Sequence, residues 1–274
     1  MLSSTKDLEK YTIRAIDGDI GRVSGFYFDD QSWVIRYLAV DAGNWLTDRQ
    51  VLISPIAINT PNWKQRILPV AITREQVKNS PDIDPETPIR RQHEIRYLGY
   101  YGYPAYWGGT GLWGGEAYPG SLMPGMAGSV PMPIRPPAEP EQINDASRSV
   151  GQHLHSCTAL LKYRIAATDG DIGHVDGFLI DEDTWAIRYL IANTGNWWLG
   201  HQVLIAPQWI EQVGQPRATV SVRLTRLQVR NAPPYDPSAR PERGQESGLH
   251  AHDAQSGYWT GKIDNEIADT SRHA

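Results

Sequence analysis

The sequence predicts a mainly β protein that contains two tandem copies of one small antiparallel β-barrel, each copy ending in a short α-helix. Three observations carry this prediction: a long internal repeat, short strand patterns separated by turn signals, and a helix start that occurs once in each copy. Closure into a barrel is favoured because it removes the exposed edges that short antiparallel strands otherwise leave.

The internal repeat relates residues that lie 152 positions apart. Asp17-Gly18-Asp19-Ile20-Gly21 recurs as Asp169-Gly170-Asp171-Ile172-Gly173, and the alignment needs no gap from residue 11 to residue 85. Over residues 11–55, 25 of the 45 aligned positions are identical. Agreement of this extent indicates that one domain has been duplicated within the chain.

The repeat divides the chain into four parts. We predict a first domain over residues 1–96, a linker rich in Gly, Tyr and Pro over 97–150, a second domain over 151–238 and a polar tail over 239–274. The linker shows no hydrophobic periodicity, so its composition predicts a connection that buries no face of its own.

Strand and turn signals follow one another closely within each copy. Asp17-Gly18 is a hairpin signal between two runs of β-forming residues. Residues 33–40 then alternate large side chains, as a strand does, and Pro55 closes the strand that contains Val51 to Ile53. Trp33 and its counterpart Trp185 are expected in the core of this pattern.

A capping box marks the start of the helix in each copy. In Thr73-Arg74-Glu75-Gln76 the threonine hydroxyl accepts from the third backbone N–H, and the glutamine side chain reaches back. Thr225-Arg226-Leu227-Gln228 repeats the pattern, and Pro81 and Pro233 predict that both helices are short.

Composition and charge exclude several classes of function. The 26 basic residues are outnumbered by 31 acidic ones and form no cluster, which argues against nucleic acid as a partner. The single cysteine, Cys157, cannot form an internal disulfide. The polar N-terminus and the absence of a long apolar run predict no membrane insertion and a cytoplasmic location.

Several motifs together resemble the PRC-barrel domain. They are Asp17-Gly18-Asp19-Ile20-Gly21, Gly25-Phe26, Trp33-x-Ile35-Arg36-Tyr37-Leu38, Gly43-Asn44-Trp45-Leu46, Gln50-Val51-Leu52-Ile53-Ser54-Pro55 and the run from Leu224 to Pro233. The resemblance covers roughly two thirds of the chain and is to a stand-alone, two-copy bacterial subgroup. The family also includes the H subunit of the photosynthetic reaction centre and a ribosome maturation factor. The resemblance implies barrels of about six strands that dock other proteins and carry no catalytic residues.

Candidate chemical sites have simpler structural interpretations. Asp17 and Asp19 could begin a calcium loop, but turn chemistry explains them better because further oxygen ligands at fixed spacing are missing. His153, His155 and Cys157 would need a fourth ligand to bind zinc, and the first copy lacks all three. No nucleophile motif or phosphate loop occurs, so the sequence predicts no enzyme, cofactor or metal.

Aromatic residues are the best candidates for an interaction surface. Asn44-Trp45 and Asn196-Trp197 follow a glycine at a strand end, where the tryptophans could either anchor a partner or close the end of a barrel. Tyr106-Trp107 and Tyr258-Trp259 keep the same 152-residue register through otherwise dissimilar segments. We expect each of these two pairs to fold back onto a barrel.

The sequence therefore favours a protein-interaction or scaffold module with an unknown protein partner. Two like domains in one chain are expected to pack as an intrachain pseudo-dimer, and the molecule could further form a homodimer. A sensor that binds a small ligand or metal between the barrels is the alternative hypothesis. An enzyme is the third and least favoured class.

Overall fold

The structure is a computed structural model that describes residues 1–46, 49–81, 89–124, 154–195, 201–214 and 218–237. It is mainly β, as predicted, and contains two sheets. Internal contacts divide it into two units. The first is Met1–Tyr163 with Val175–Leu190, and the described part of the second is residues 164–174 with residues of 191–237.

The first copy begins with a short strand and a single helical turn, followed by five further strands and two helices. Its elements are β1 (Leu2–Ser4), α1 (Thr5–Leu8), β2 (Thr12–Ala15), β3 (Gly18–Asp29), β4 (Val34–Asp41), β5 (Gln50–Ile53), β6 (Ile67–Pro69), α2 (Arg74–Lys78) and α3 (Arg91–Tyr101).

The second copy repeats this order at the same spacing as far as its short helix α5, with one additional strand, β12. Its elements are β7 (Leu154–Ser156), α4 (Cys157–Leu160), β8 (Arg164–Ala167), β9 (Gly170–Asp181), β10 (Ile187–Asn193), β11 (Gln202–Ile205), β12 (Ile210–Gly214), β13 (Thr219–Val222) and α5 (Arg226–Asn231). The repeat seen in the sequence is thus a repeat of secondary structure.

The two sheets share one strand order, except that the second sheet continues by one further strand, β12. The first sheet runs β5-β4-β3-β2-β6, with β7 paired to β3, and the second runs β11-β10-β9-β8-β13-β12, with β1 paired to β9. The strand β6 returns parallel to β2, as β13 does to β8. The named strands of neither sheet close into a barrel, so the predicted closure is not part of this pairing.

The Asp-Gly hairpin turn between β2 and β3 is confirmed. Ala15 pairs with Gly18, whose φ of 142° lies in the region that favours glycine. Gly21 lies against the backbone of Asp41, where a Cβ atom would collide with the carbonyl oxygen. The glycines of the repeated motif are therefore required by one turn and one close backbone approach.

The two predicted capping boxes are also confirmed. Thr73 accepts from the backbone N–H of Gln76, and the Gln76 side chain accepts from the backbone N–H of Thr73, at 3.1 and 2.8 Å. Thr225 and Gln228 make the same pair of hydrogen bonds. Both helices are shorter than two turns, which agrees with the prolines that follow them.

Trp33 and Trp185 precede the strands in which the sequence pattern placed them. They have positive φ angles of 54° and 60°, because each closes a turn by donating its N–H to Asp29 or Asp181. Trp185 is buried, as expected of a core residue, whereas Trp33 is half-buried. The strand β4 that follows Trp33 is buried on both faces over residues 34–40.

Residues 97–124 pack more closely than the predicted linker. Helix α3 crosses the expected boundary, and the Tyr97 hydroxyl donates to the Leu52 carbonyl and accepts from the Ser54 N–H, at 3.1 and 3.0 Å. The buried aromatic side chains of this stretch are irregularly spaced, so a search for hydrophobic periodicity does not detect their packing. The buried residues of the stretch are Tyr97, Leu98, Tyr103, Tyr106, Trp113, Gly114, Pro119 and Leu122.

Among the helices in the described part of the chain, none is long and apolar enough to cross a membrane.

Candidate interaction surfaces

The two copies exchange their first strands within the first unit. Strand β1 of the first copy pairs with β9 of the second, through Leu2–Asp181, Ser3–Ile180 and Ser4–Leu179. Strand β7 of the second copy pairs with β3 of the first, through Leu154–Asp29, His155–Phe28 and Ser156–Tyr27. Every pair in one set becomes a pair in the other when 152 is added or subtracted, so the exchange is reciprocal.

A second symmetric contact joins the turns that precede β4 and β10. Val34 and Ala186 form an antiparallel bridge. Around it, Ile35 N–H donates to the Trp185 carbonyl at 2.8 Å, and Ile187 N–H donates to the Trp33 carbonyl at 2.7 Å. Each of these two hydrogen bonds becomes the other when 152 is added to or subtracted from its residue numbers. The Val34–Ala186 bridge therefore lies at the centre of the symmetric contact.

Side chains at the exchanged strands differ between the copies. His155 Nε2 lies 2.9 Å from Asp30 Oδ2, whereas at the equivalent position Ser3 Oγ donates to Glu182 Oε1 at 2.6 Å. The ring centroids of Phe28 and Phe178 lie 5.9 Å apart in the core between them. The two copies thus share the backbone pairing of the exchanged strands but differ in the polar side chains beside it.

Trp45 lies on a surface patch at the end of the first sheet. It is half-buried, its Nε1–H donates to the Ile20 carbonyl at 2.5 Å, and the Arg74 guanidinium lies 4.2 Å from its ring centroid. Asn44 beside it is exposed. The tryptophan is therefore held in place by a hydrogen bond and a cation–π contact while part of its ring stays accessible.

The Asp-Gly turn completes this Trp45 patch. Asp17 Oδ1 accepts from the backbone N–H of Arg74 at 2.8 Å, and a Cβ atom on Gly18 would lie 3.4 Å from the Arg74 side chain. Residues 17, 18, 44, 45 and 74 are all identical at the 152 offset. In the second copy, Asp169 Oδ1 accepts from Arg226 N–H at 2.7 Å, and Asn196 and Trp197 lie outside the described residues.

A buried arginine organises a second cluster, which we call the Arg36 cluster. Arg36 donates to Asp29 Oδ2 at 3.3 Å, to Ser32 Oγ at 2.8 Å and to the Leu112 carbonyl at 2.8 Å. Its guanidinium lies 3.9 Å from the Tyr106 ring centroid and 4.7 Å from that of Trp113. The side chain of Arg36 is only 2% exposed, so a full positive charge is enclosed.

Four residues form what we call the cover over Arg36: Arg91, Glu94, Tyr106 and Trp107. Tyr106 donates its hydroxyl to Glu94, and Arg91 pairs with Glu94 at 3.2 Å. The Arg91 guanidinium also lies 4.1 Å from the Trp107 ring centroid. Burial raises the pKa of Glu94, although Arg91, the Tyr106 hydroxyl and Arg36 partly offset this, and burial also raises the pKa of Tyr106.

The second copy repeats the base of this cluster. Arg188 donates to Asp181 Oδ2 at 3.1 Å and to Thr184 Oγ1 at 3.2 Å. Burial alone would raise the pKa of Asp181, but Arg188 and the backbone N–H groups of Thr184 and Asp183 outweigh it and lower the pKa. Arg188 is 17% exposed, more than Arg36.

The predicted aromatic pair Tyr106-Trp107 therefore packs against its own chain. Tyr106 is buried and Trp107 is half-buried. Tyr258 and Trp259 lie outside the described residues. The sequence reasoning gave no role to Arg36, Arg91 or Glu94, although all three are identical at the 152 offset.

The candidate ligand residues have structural partners. Asp19 pairs with Arg14 at 2.6 Å, and Asp17 caps the start of α2, so neither carboxylate is directed at a common ion. Within the described residues no three His, Cys, Asp or Glu side chains are grouped to hold a metal. His153 lies outside the described residues, and His155 is engaged with Asp30.

No protein-family model matches the sequence, and no curated protein matches it.

Proposed function

We propose that this chain is a non-enzymatic interaction or scaffold protein, built from two PRC-barrel-type repeats that form an intrachain pseudo-dimer. The reciprocal exchange of β1 and β7 carries the proposal. A contact in which each copy gives and receives the same element is the signature of an isologous interface. Its presence inside one chain supports an intrachain pseudo-dimer.

Hydrogen bonds beyond the named strands support closure of the first sheet into a barrel. After β5 the chain continues to Ile58, which bridges to Val70, next to β6. Asn59 N–H donates to the Pro69 carbonyl and Ala71 N–H donates to the Ala57 carbonyl, both at 2.9 Å. Since β6 pairs with β2, these contacts lead from one end of the strand order back to the other.

The Trp45 patch is the surface that we propose contacts a partner. Its residues are repeated in the second copy, so the chain offers the same chemistry twice: a carboxylate, a guanidinium, an amide and an aromatic ring. Interface anchors are typically aromatic and arginine side chains that are already held in place in the free protein. Trp45 and Arg74 fit this description because each orders the other.

The experiment is affinity purification of the full-length chain from its native cells, followed by reconstitution with each purified candidate. The test variant carries Trp45→Ala and Trp197→Ala. Trp63→Ala is the matched control, since Trp63 is a half-buried tryptophan that packs on Tyr11 and has a glutamine at the equivalent position of the second copy. All variants are first shown to keep a cooperative thermal transition.

A partner that binds the wild type and Trp63→Ala with fixed stoichiometry, but not the double variant, would support the proposal. A partner that binds all three proteins equally would exclude the Trp45 patch. If no partner reconstitutes, and native mass spectrometry instead finds a retained small molecule or metal, the sensor hypothesis replaces the scaffold.

A further inference from the structure

The first sheet carries a β-bulge, and the residue that forms it is Arg36. Strand β4 has one residue more than β3 between the pairs Tyr27–Tyr37 and Phe28–Ile35. Neighbouring side chains of a regular strand point to opposite faces, but a bulge changes the direction of the side chain that it contains. Arg36 and Tyr37 accordingly both contact α3 or the residues after it, Arg36 at Tyr106 and Tyr37 at Tyr97.

Two buried donors on these neighbouring residues have no acceptor. Among the described residues, the Nε–H group of Arg36 and the hydroxyl of Tyr37 lack a hydrogen-bond partner, whereas the other two guanidinium nitrogens are bonded. The Arg36 side chain is 2% exposed and Tyr37 is 1% exposed, so bulk water reaches neither donor. Native proteins rarely leave a buried donor unsatisfied, because its lost hydration is then not compensated. The two donors therefore indicate a partner that is not a protein group.

Glu94 supplies an acceptor in the same cluster. Its carboxylate is buried, accepts from the Tyr106 hydroxyl and pairs with Arg91 at 3.2 Å. A carboxylate offers about four lone-pair sites, so Glu94 has capacity for a further donor. Burial raises the pKa of Tyr37, and the charge of Glu94 makes the next largest contribution, which places the two groups near each other. Unsatisfied donors and spare acceptor capacity thus occur together in one enclosed cluster.

We propose that a buried water molecule binds between Arg36, Tyr37 and Glu94. The water accepts from the Nε–H group of Arg36 and from the hydroxyl of Tyr37, and it donates to the carboxylate of Glu94. Buried waters typically make about three hydrogen bonds to polar groups that otherwise have no partner, and this arrangement supplies three. The site goes beyond the scaffold function and does not depend on it.

Water fits this cluster better than an ion does. Arg36 pairs with Asp29 and Arg91 pairs with Glu94, so the cluster already contains as many cations as carboxylates. An added anion would lie beside the Glu94 carboxylate, and an added cation would lie beside the buried guanidinium of Arg36. Both contacts are repulsive. A neutral molecule that accepts and donates hydrogen bonds avoids both.

The first test is urea unfolding of Tyr37→Phe in the full-length chain. If water satisfies the Tyr37 hydroxyl, its removal should lower the urea midpoint, because a hydrogen bond is lost. If the hydroxyl has no partner at all, its removal should raise the midpoint, because an uncompensated buried polar group is removed. The direction of the shift therefore distinguishes a hydrated site from a dry one.

Two other tyrosines of α3 calibrate this measurement. The Tyr97 hydroxyl is buried and hydrogen-bonded to protein groups as both donor and acceptor, so Tyr97→Phe should lower the midpoint most. Tyr100 is exposed and its hydroxyl donates to the Gln76 carbonyl, so Tyr100→Phe should change the midpoint least. We expect the decrease for Tyr37→Phe to lie between these two.

Crystallography of the full-length chain, at a resolution that shows ordered waters, locates the molecule directly. We expect a density peak within about 2.5–3.2 Å of both Arg36 Nε and the Tyr37 hydroxyl oxygen. The peak should be lost or weakened several-fold in Tyr37→Phe and unchanged in Tyr100→Phe. Crystals soaked in sodium bromide should show no anomalous peak at this position.

Three outcomes would overturn the proposal. A urea midpoint of Tyr37→Phe equal to or above that of the wild type would show that nothing is bound to the hydroxyl. Density in which Arg36 Nε and the Tyr37 hydroxyl bond directly to protein groups would leave no role for water. An anomalous bromide peak between Arg36 and Tyr37 would assign the site to an anion.

Discussion

Val34 and Ala186 occupy the same position in the two copies, 152 residues apart, and they form a β-bridge with each other. Only a residue at the centre of a symmetric contact can meet its own equivalent, so this bridge locates the point about which the copies are related. The exchanged strands β1 and β7 follow the same relationship, since each is paired with the other copy's long strand.

The aromatic contact beside this bridge gives the first prediction. Phe28 and Phe178 belong to different copies, and their rings lie 5.9 Å apart with both side chains fully buried. A double-mutant cycle with Phe28→Leu and Phe178→Leu, measured by urea unfolding, should give a coupling free energy of about 0.5–1.5 kcal/mol.

The control for this cycle pairs Phe28→Leu with Tyr103→Leu, since Tyr103 is a buried aromatic whose ring stacks on Tyr101 instead. That cycle should be additive. Additivity in the Phe28–Phe178 cycle as well would mean that the two copies do not share a core in solution.

The glycines of the first copy provide the second prediction. Gly21→Ala should lower the free energy of unfolding by at least about 2 kcal/mol, because the new Cβ atom collides with the backbone of Asp41. Gly99→Ala is the matched control: Gly99 is an exposed residue of α3 with open space around it. That change should raise stability by about 0.5–1 kcal/mol.

Thermal and urea unfolding check both variants. Equal stabilities of Gly21→Ala and the wild type would mean that β3 and the end of β4 do not approach as closely as the structure has them.

Local sequence signals predicted much of the secondary structure. The Asp-Gly turn, both capping boxes and the strand around Ile53 were readable because each depends on residues close in the chain. The reciprocal strand exchange was not predicted, since β1 and β7 have three residues each and pair with strands far away. The identities Leu2/Leu154 and Ser4/Ser156 were the signal for it.

The candidate site was predictable only in part. Trp45 stood out by its position after a turn, but Arg74, which covers its ring, lies 29 residues further on and becomes a neighbour only in the fold. The buried Arg36 could not be distinguished by composition from an exposed arginine on a strand. Its burial depends on Asp29 and on aromatic residues of a stretch that looked like linker.

The single thiol provides the third prediction. Cys157 begins α4, next to the exchanged strand β7, and is buried. Burial, with a smaller contribution from nearby Glu9, raises the pKa of this thiol, so both access and ionisation disfavour its reaction. We expect no labelling by a thiol reagent in the native protein and complete labelling in guanidinium chloride.

The labelling rate then reports how often the exchanged segment opens. Labelling of Cys157 at an intermediate rate, which decreases as a stabilising osmolyte is added, would show that β7 and α4 open together. Rapid and complete labelling of a protein that keeps its thermal transition would contradict the position of Cys157.

Glu94 gives the last prediction, which concerns pH. Burial raises the pKa of this carboxyl above its ordinary value of 4.5. A raised pKa in the folded state means that folding favours the protonated carboxyl. The contribution of Glu94 to stability is therefore complete below pH 4.5 and is lost as the pH rises through the folded-state pKa. Glu94→Gln removes that titration, and its stability relative to the wild type should therefore increase as pH rises above 4.5.

Urea unfolding of both proteins across this range measures the difference directly, with effects of other titrating groups cancelling between them. Glu75→Gln, which changes an exposed glutamate on α2, controls for the loss of one negative charge. A difference that stays constant with pH would mean that Glu94 is solvated and that the cover over Arg36 is open in solution.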